Sequence, residues 1–390
     1  MDVQVLKYDH MGNGIAKIDG KTIFIKRAIP NELVNIKIIK EKKNFSNAII
    51  SNIIKPSDNR IKPICPYYDK CGGCDFLHTT NNEEQSFKEN KCSELLNNNY
   101  TFHNTKELNY RNKITLHVKN NKIGLYEEQS NKIIQINNCY LVDDKINKII
   151  NKLQQYYLNK KCNLNEIIIK SSQETLIYLK GNIDNNFLKE FDFIDNIILN
   201  NITLKGNNYI TTNLCNYNFK ISDKSFFQVN YQGLIEISKI LENNLKNNHY
   251  KQALDLYSGT SVMGILISKY ADKVISIEYN KSSTDDALIN IKNNNINNIK
   301  VINGKVEDHI DNYLDSDLVI VDPPRSGLDK KTIDILKKIN SNNIIYISCD
   351  MISLKRDLQL LDTYKIKSID LVNMFPKTYH VETVCILERK

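Results

Sequence analysis

The chain has 390 residues, 41% of them hydrophobic, and a formal net charge of +8. That length exceeds one ordinary domain and points to two or three. No apolar run approaches the roughly 18 residues of a membrane span, so no membrane partner is expected. The first ten residues lack the basic and apolar stretches of a secretory signal. Nine cysteines in such a chain suit metal binding or catalysis better than disulfides, and the reading is cytoplasmic. The positive charge fits a polyanion, because lysine and arginine release counterions from phosphates. The abundance of Asn, Ile and Lys, as in residues 293–300, reads as compositional bias.

Residues 3–6, 15–18, 22–25 and 33–38 alternate or are rich in β-branched side chains, and Gly12, Gly14, Gly20 and Pro30-Asn31 punctuate them. Short, closely spaced strands suggest a small barrel of the OB type, a fold that often holds RNA. A purely structural barrel is the plainer alternative. Residues 55–60 read as a linker, and residues 83–96 as a helix. Strand patterns at 113–118, 166–169 and 175–179 suggest a β-rich second domain. From Phe226 onward helix and strand alternate: helices at 231–245, 263–269, 282–293, 331–339 and 354–361, strands at 253–256, 274–277, 301–302, 318–321 and 344–347. That alternation predicts a doubly wound α/β domain. The expected division is 1–54, 55–215 and 216–390.

The chemistry concentrates near the C-terminus. Leu318-Val-Ile-Val-Asp322-Pro-Pro-Arg325 and Tyr346-Ile-Ser-Cys349-Asp350 are buried-strand patterns that end in reactive side chains. Carboxyl ends of strands line the ligand crevice of an open parallel sheet, so Asp322 and Cys349 are expected to face one pocket. A third strand-like segment, residues 380–387, adds Glu382. Taken alone, Cys349 is as readily a core thiol, and Glu382 a residue on a solvated edge. Asp255-Leu-Tyr257-Ser-Gly-Thr-Ser-Val-Met-Gly264 reads as a strand-to-helix turn. Glu278 follows where an acidic residue grips ribose hydroxyls in nucleotide-binding folds. The loop lacks the third-glycine spacing of the dinucleotide fingerprint, which favours S-adenosylmethionine. Phe226-Phe-Gln228-Val-Asn230 is either a hydrophobic staple or a contact to cofactor or base.

Cys65-Pro-Tyr-Tyr-Asp-Lys-Cys71-Gly-Gly-Cys74 crowds thiols onto a Gly-Gly turn. The five-residue gap leans toward a [4Fe–4S] cluster rather than zinc. Cys139 is the chosen fourth ligand and Cys92 the second choice. Cys162, Cys215 and Cys385 read as small buried hydrophobes, and the histidines suggest no ligand set.

Together these residues resemble the RNA (uracil-5-)-methyltransferase family, in its iron–sulfur 23S rRNA branch, over nearly the whole chain. The N-terminal segment looks like a TRAM domain. Cys65, Cys71, Cys74 and Cys139 fall at that family's cluster positions, and Tyr110-Arg-Asn112 matches a further signature. The resemblance implies a class I methyltransferase fold. It also implies that Gln228, Tyr257, Glu278 and Asp322 contact S-adenosylmethionine or border its pocket, that Cys349 is the nucleophile, and that Glu382 is the base. Ribosomal RNA is the implied partner, and no obligate protein partner is indicated. Three departures stand out: Ser258 replaces a Cys, Ser261 replaces a Gly, and Asp350-Met351 replaces the Asn-Pro that follows the nucleophile.

The implied reaction begins with attack of Cys349 on C6 of uracil, which makes C5 nucleophilic. After methyl transfer Glu382 removes the C5 proton and Cys349 is expelled. Asp322 is expected to hydrogen-bond the base edge, and Arg325 to stabilise charge or bind phosphate. The base must leave its stack. The cluster has no step in this polar chemistry, so a structural or RNA-positioning role is expected for it. Within the family a tRNA uracil-54 enzyme is the competing reading; that branch typically lacks the barrel and cluster cysteines. A cytosine enzyme would have cysteine where Arg325 stands, and an amino methyltransferase an aromatic residue. From another class, a non-catalytic iron–sulfur RNA-binding protein competes, motivated by Ser261 and Asp350-Met351.

Overall fold

The computed structural model describes all 390 residues and gathers them into two compact units. The first comprises Met1–Asn97, Tyr126–Asn131 and Phe375–His380; the second comprises Asn98–Leu125, Lys132–Met374 and Val381–Lys390.

In the first unit a six-stranded sheet runs in the order Asp2–Gln4, Leu33–Glu41, Phe45–Lys55, Lys21–Lys26, Gly14–Ile18, Lys7–Tyr8. Alternation along the strands sends Val3, Ala16, Ile23, Ile25, Val34, Ile36 and Ala48 into one apolar cluster. Gly14 is required there, since a Cβ would stand 2.7 Å from Ala28 Cβ and 2.8 Å from Val5 Cγ1. The 45–55 strand was not foreseen. The expected linker at 55–60 is also corrected: Arg60 pairs with the fully buried Glu32 through Nε and, at 2.7 Å, through Nη2. Ser57 N donates to the same carboxylate at 3.2 Å. Residues 55–97 fall in the same compact unit as the barrel. The Asn81–Leu96 helix begins at Thr80, whose hydroxyl caps Glu83 N.

The second unit contains a seven-stranded sheet over residues 113–205 and an eight-stranded sheet. The Asp144–Tyr157 helix presents buried Ile146, Ile149, Ile150 and Leu153 at helical spacing, in a region read only as strands. Here the expected boundary at 215/216 does not coincide with the grouping. The Tyr217–Ser222 strand is stitched to the Lys281–Asn293 helix by Lys220 N→Asn290 Oδ1 at 2.6 Å and Ser222 N→Asp286 Oδ2 at 2.7 Å. Thr101–His103 also joins the edge of the larger sheet.

The eight-stranded sheet positions the chemistry. Its order is Ile299–Asn303, Ala271–Glu278, Tyr250–Leu256, Leu318–Val321, Asn343–Ser348, Glu382–Arg389, Tyr364–Val372, Thr101–His103. The first five strands are parallel. Glu382–Arg389 runs antiparallel to both neighbours. Leu318–Val321 is buried at every residue, as a two-faced strand requires. Asn230, Asn280, Asp329 and Asp350 each cap the helix that follows. No helix is long and apolar enough to cross a membrane.

Candidate active site

Strand register brings the C-terminal residues together. Ser348 pairs with Thr383 in the antiparallel seam, so the next pair outward is Cys349 opposite Glu382. In the parallel ladders Leu256 pairs with both Ile277 and Val321. Tyr257, Glu278 and Asp322 therefore stand side by side, one residue further on. The Glu382 strand contributes its beginning rather than its end to this edge, because it runs backwards. The plainer alternative for Glu382, a residue on a solvated edge, does not hold: it is 2% exposed.

The electrostatics follow from crowding. Burial, then the facing Glu382, pushes the Cys349 thiol up to about 11, while Arg325 opposes the shift and Asp322 adds to it. Glu382 is raised well above the usual carboxyl range by burial and then by Asp322, again opposed by Arg325. Burial, followed by the neighbouring Asp255, raises Asp322 to about 7. One guanidinium thus favours the ionised form of both Cys349 and Glu382. Asp350 adds to the same upward shift, after Asp322, while its carboxylate caps the following helix, accepting from Ile352 N at 3.1 Å and Ser353 N at 2.8 Å.

The glycine loop holds a second network. Asp255 accepts from Gly264 N at 2.8 Å and Ser276 Oγ at 3.2 Å, and burial raises its carboxyl to about 7. Ser261 sits in the left-handed region at φ 58°, fully buried, with its hydroxyl 2.8 Å from Ser276 Oγ. Glu278 accepts from Gly259 N at 2.9 Å and Asn280 N at 2.6 Å, which aims the carboxylate across the turn. The Ser258 hydroxyl is buried with no hydrogen-bond partner. A Cβ built on Gly259 would meet nothing within 4 Å. An orphaned hydroxyl beside open space fits a ligand with polar edges.

Two sequence motifs meet directly. Asn112 donates from Nδ2 to the Gln228 carbonyl at 3.0 Å and from its backbone N to the Val229 carbonyl at 3.0 Å. Asn230 caps the Tyr231–Leu245 helix and donates to the Met374 carbonyl at 3.0 Å. Phe227 is buried and Phe226 is 61% exposed. Asp357 was missed by sequence reasoning. It accepts from Leu328 N and Tyr346 Oη, each at 2.7 Å, and Arg356 reaches the Ser326 carbonyl at 2.8 Å. Together they hold the loop that carries Arg325. A charged residue on the inward face of a helix was the available signal.

Cys65, Cys71 and Cys74 belong to the first unit and Cys139 to the second. No group of three or more His, Cys, Asp or Glu side chains is arranged to hold a metal ion. The Cys139 backbone exchanges hydrogen bonds with the Asn147 amide at 2.9 and 3.1 Å. Cys92 is fully buried, and its thiol is pushed up to about 11 by that burial. Cys162 and Cys385 are buried as expected; Cys215 is only partly so.

The model for "tRNA (Uracil-5-)-methyltransferase" matches residues 78–390, and that for the TRAM domain matches residues 1–50. An uncharacterized RNA methyltransferase of Clostridium acetobutylicum is 32% identical, with 100% of this chain and 96% of that protein covered. Another, of Aquifex aeolicus, is 30% identical, with 100% and 99% covered. The crystal structure of Pyrococcus abyssi tRNA (uracil-54, C5)-methyltransferase in complex with S-adenosyl-L-homocysteine superposes with a TM-score of 0.83 at 23% identity, over 99% of this chain and 100% of that one. That last likeness speaks for the fold. The sequence kinship goes further, and by it the chain belongs to the tRNA (uracil-5-)-methyltransferase family.

Proposed function

We propose that this protein transfers a methyl group from S-adenosylmethionine to C5 of a uridine in 23S ribosomal RNA, through a covalent bond between Cys349 and C6. The observation that carries the reading is the Cys349–Glu382 pair across the antiparallel seam, with Asp322 and Arg325 acting on both groups. The Cys349 thiolate adds to C6, and the electron pair of the C5–C6 double bond moves onto C5 and the carbonyl. C5 then takes the methyl group from the sulfonium, leaving S-adenosylhomocysteine. Glu382 accepts the C5 proton, the double bond re-forms, and Cys349 leaves as thiolate. Asp322 serves the base edge and Arg325 the charge that grows during attack.

Gln228, Tyr257, Glu278 and Asp322 would hold the cofactor, Glu278 by its ribose hydroxyls. The barrel, residues 1–54, would bind RNA, residues 55–215 would form a central region, and residues 216–390 would carry catalysis. The proposed setting is the cytoplasm. A [4Fe–4S] cluster rests on the spacing of Cys65, Cys71 and Cys74 and on the family resemblance, which adds Cys139, and no catalytic step is routed through it.

A tRNA substrate is the second reading. The Pyrococcus abyssi protein, named for tRNA uracil-54, superposes over 99% of this chain, so the barrel does not separate the two RNA classes. The deciding experiment offers unmodified 23S rRNA and unmodified tRNA separately, with methyl-labelled S-adenosylmethionine, and maps the 5-methyluridine. Label in 23S rRNA alone supports the first reading; label in tRNA alone replaces it with the second.

A further inference from the structure

Phe375–His380 directly precede Val381 and Glu382 in sequence, yet they belong to the first unit, where they are held from two sides. Lys377 sits in the left-handed region at φ 66°, an unfavourable place for a long side chain. Its N–H donates to Glu84 Oε1 at 2.9 Å. Its carbonyl accepts from Asp75 N at 2.8 Å and Phe76 N at 3.1 Å, the residues just after Cys74. Its Nζ lies 3.5 Å from Glu84 Oε2 and donates to Asn81 Oδ1. Tyr379 N donates to Asp75 Oδ2 at 3.1 Å. Behind Glu84, Lys88 Nζ donates to Glu84 Oε1 at 2.6 Å and to the Phe375 carbonyl at 3.4 Å. Glu84 and Lys88 are 2% and 0% exposed.

Burying charges on this scale is unfavourable unless every partner is in place. A shorter apolar contact would hold a loop as well. The ionic cluster adds directionality: it fixes the Lys377 N–H and the Phe375 carbonyl, while the Asp75 and Phe76 N–H groups fix the Lys377 carbonyl. Only Val381 separates this fixed segment from Glu382.

We propose that Glu84, Lys88 and Lys377, with the backbone of Asp75 and Phe76, form a positioning clamp that sets where the Glu382 carboxylate stands when it takes the C5 proton. The inference rests on the covalent reading above and names a positioning role for residues that touch no reacting atom. It also gives the cysteine loop a part in the reaction through the peptide that follows Cys74. The clamp acts on proton removal; thiol attack is not slowed when the Glu382 carboxylate, which raises the Cys349 thiol, moves away. Misplacing a catalytic group by about 1 Å slows its step by about 100-fold.

The test uses the full chain and unmodified RNA labelled with tritium at uridine C5, following covalent adduct formation, tritium release and the pH profile. Three variants are compared: Glu84→Gln, the apolar double replacement Glu84→Met with Lys88→Met, and Asn81→Ala. Asn81 is exposed at the start of the helix, so its replacement removes one hydrogen bond at the rim of the cluster and is the mildest of the three. The expected result is adduct formation at or above the wild-type rate, tritium release slowed about tenfold or more in the Glu84 variants and less in Asn81→Ala, and a methylated adduct that accumulates. Equal slowing of both steps, or wild-type tritium release in folded variants, overturns the clamp. If wild type itself forms no adduct with 5-fluorouridine RNA, the covalent reading fails first, and that outcome is read in a separate lane.

Discussion

Cys349 faces Glu382 across two antiparallel strands, one residue beyond the Ser348–Thr383 pair. The proposed nucleophile follows the end of its strand and the proposed base begins the neighbouring one. The last paired residues are Ser348 and Thr383, and directly opposed Cα atoms in such a ladder stand about 4.5–5.5 Å apart, so Cys349 and Glu382 emerge close together just beyond it. A pyrimidine ring placed against this pair would present C6 to one residue and C5 to the other.

Division of labour in that pair gives the first prediction. Cys349→Ala abolishes both methylation and covalent adducts. Glu382→Gln still forms the adduct and transfers the methyl, because the carboxylate that pushes the thiol up is gone. Elimination then stalls, and a methylated protein–RNA adduct appears as a slow band on a denaturing gel. Methylation by Cys349→Ala would end the covalent assignment.

Activity depends on pH with a definite sign. Cys349 and Glu382 are both raised, and each works only after its proton leaves. kcat/KM therefore rises from about pH 6 to about pH 9, with no acidic optimum. Arg325 holds both groups down against burial, so Arg325→Gln shifts the profile toward alkaline pH. A profile that falls over this range, or an Arg325→Gln profile that moves toward acid, contradicts the electrostatics of the site.

Ser261 tests the strained turn. Its left-handed backbone suits glycine, but its hydroxyl bonds to Ser276. Ser261→Gly relieves strain and loses that bond, and two opposing terms of about 1 kcal/mol each nearly cancel. Ser261→Val places a β-branched residue at positive φ in a buried site and costs more than about 2 kcal/mol. Denaturant midpoints of the two variants give the comparison; equal losses would mean that strain is not what distinguishes them.

Iron content decides the cluster. If the four cysteines bind [4Fe–4S], protein purified without oxygen is brown and carries about four iron atoms per chain. Cys139→Ser then loses the iron. One zinc and no iron per chain refutes the assignment, and iron retained in Cys139→Ser but lost in Cys92→Ser moves the fourth ligand.

Much of the larger sheet was legible because its strands are buried on both faces and read as unbroken apolar runs. Leu318–Val321 and the Tyr231–Leu245 helix have the bounds expected of them. Phe45–Lys55 was hidden because Ser and Asn interrupt its apolar positions and its outer half is exposed. Ile146, Ile149, Ile150 and Leu153 do carry a helical period, but the intervening Asn and Lys made the segment look like loop between strands. The direction of the Glu382 strand could not be read locally. A run of Val, Cys, Ile and Leu looks the same parallel or antiparallel, and only its pairing with Asn343–Ser348 fixes which end carries the chemistry. The Asp75–Lys377 contact joins residues about three hundred positions apart and left no periodic trace.

The interleaving of the two units has a consequence for how this gene can be cut. The first unit takes three separate passages of chain, the last of them only Phe375–His380. No single breakpoint separates the units, so a fragment beginning at residue 98 would carry those six residues stripped of Glu84, Lys88 and Asp75. Recombination that exchanges the front of this protein for another barrel must therefore bring a matching helix and cysteine loop with it, and those parts are inherited together with the far end of the chain.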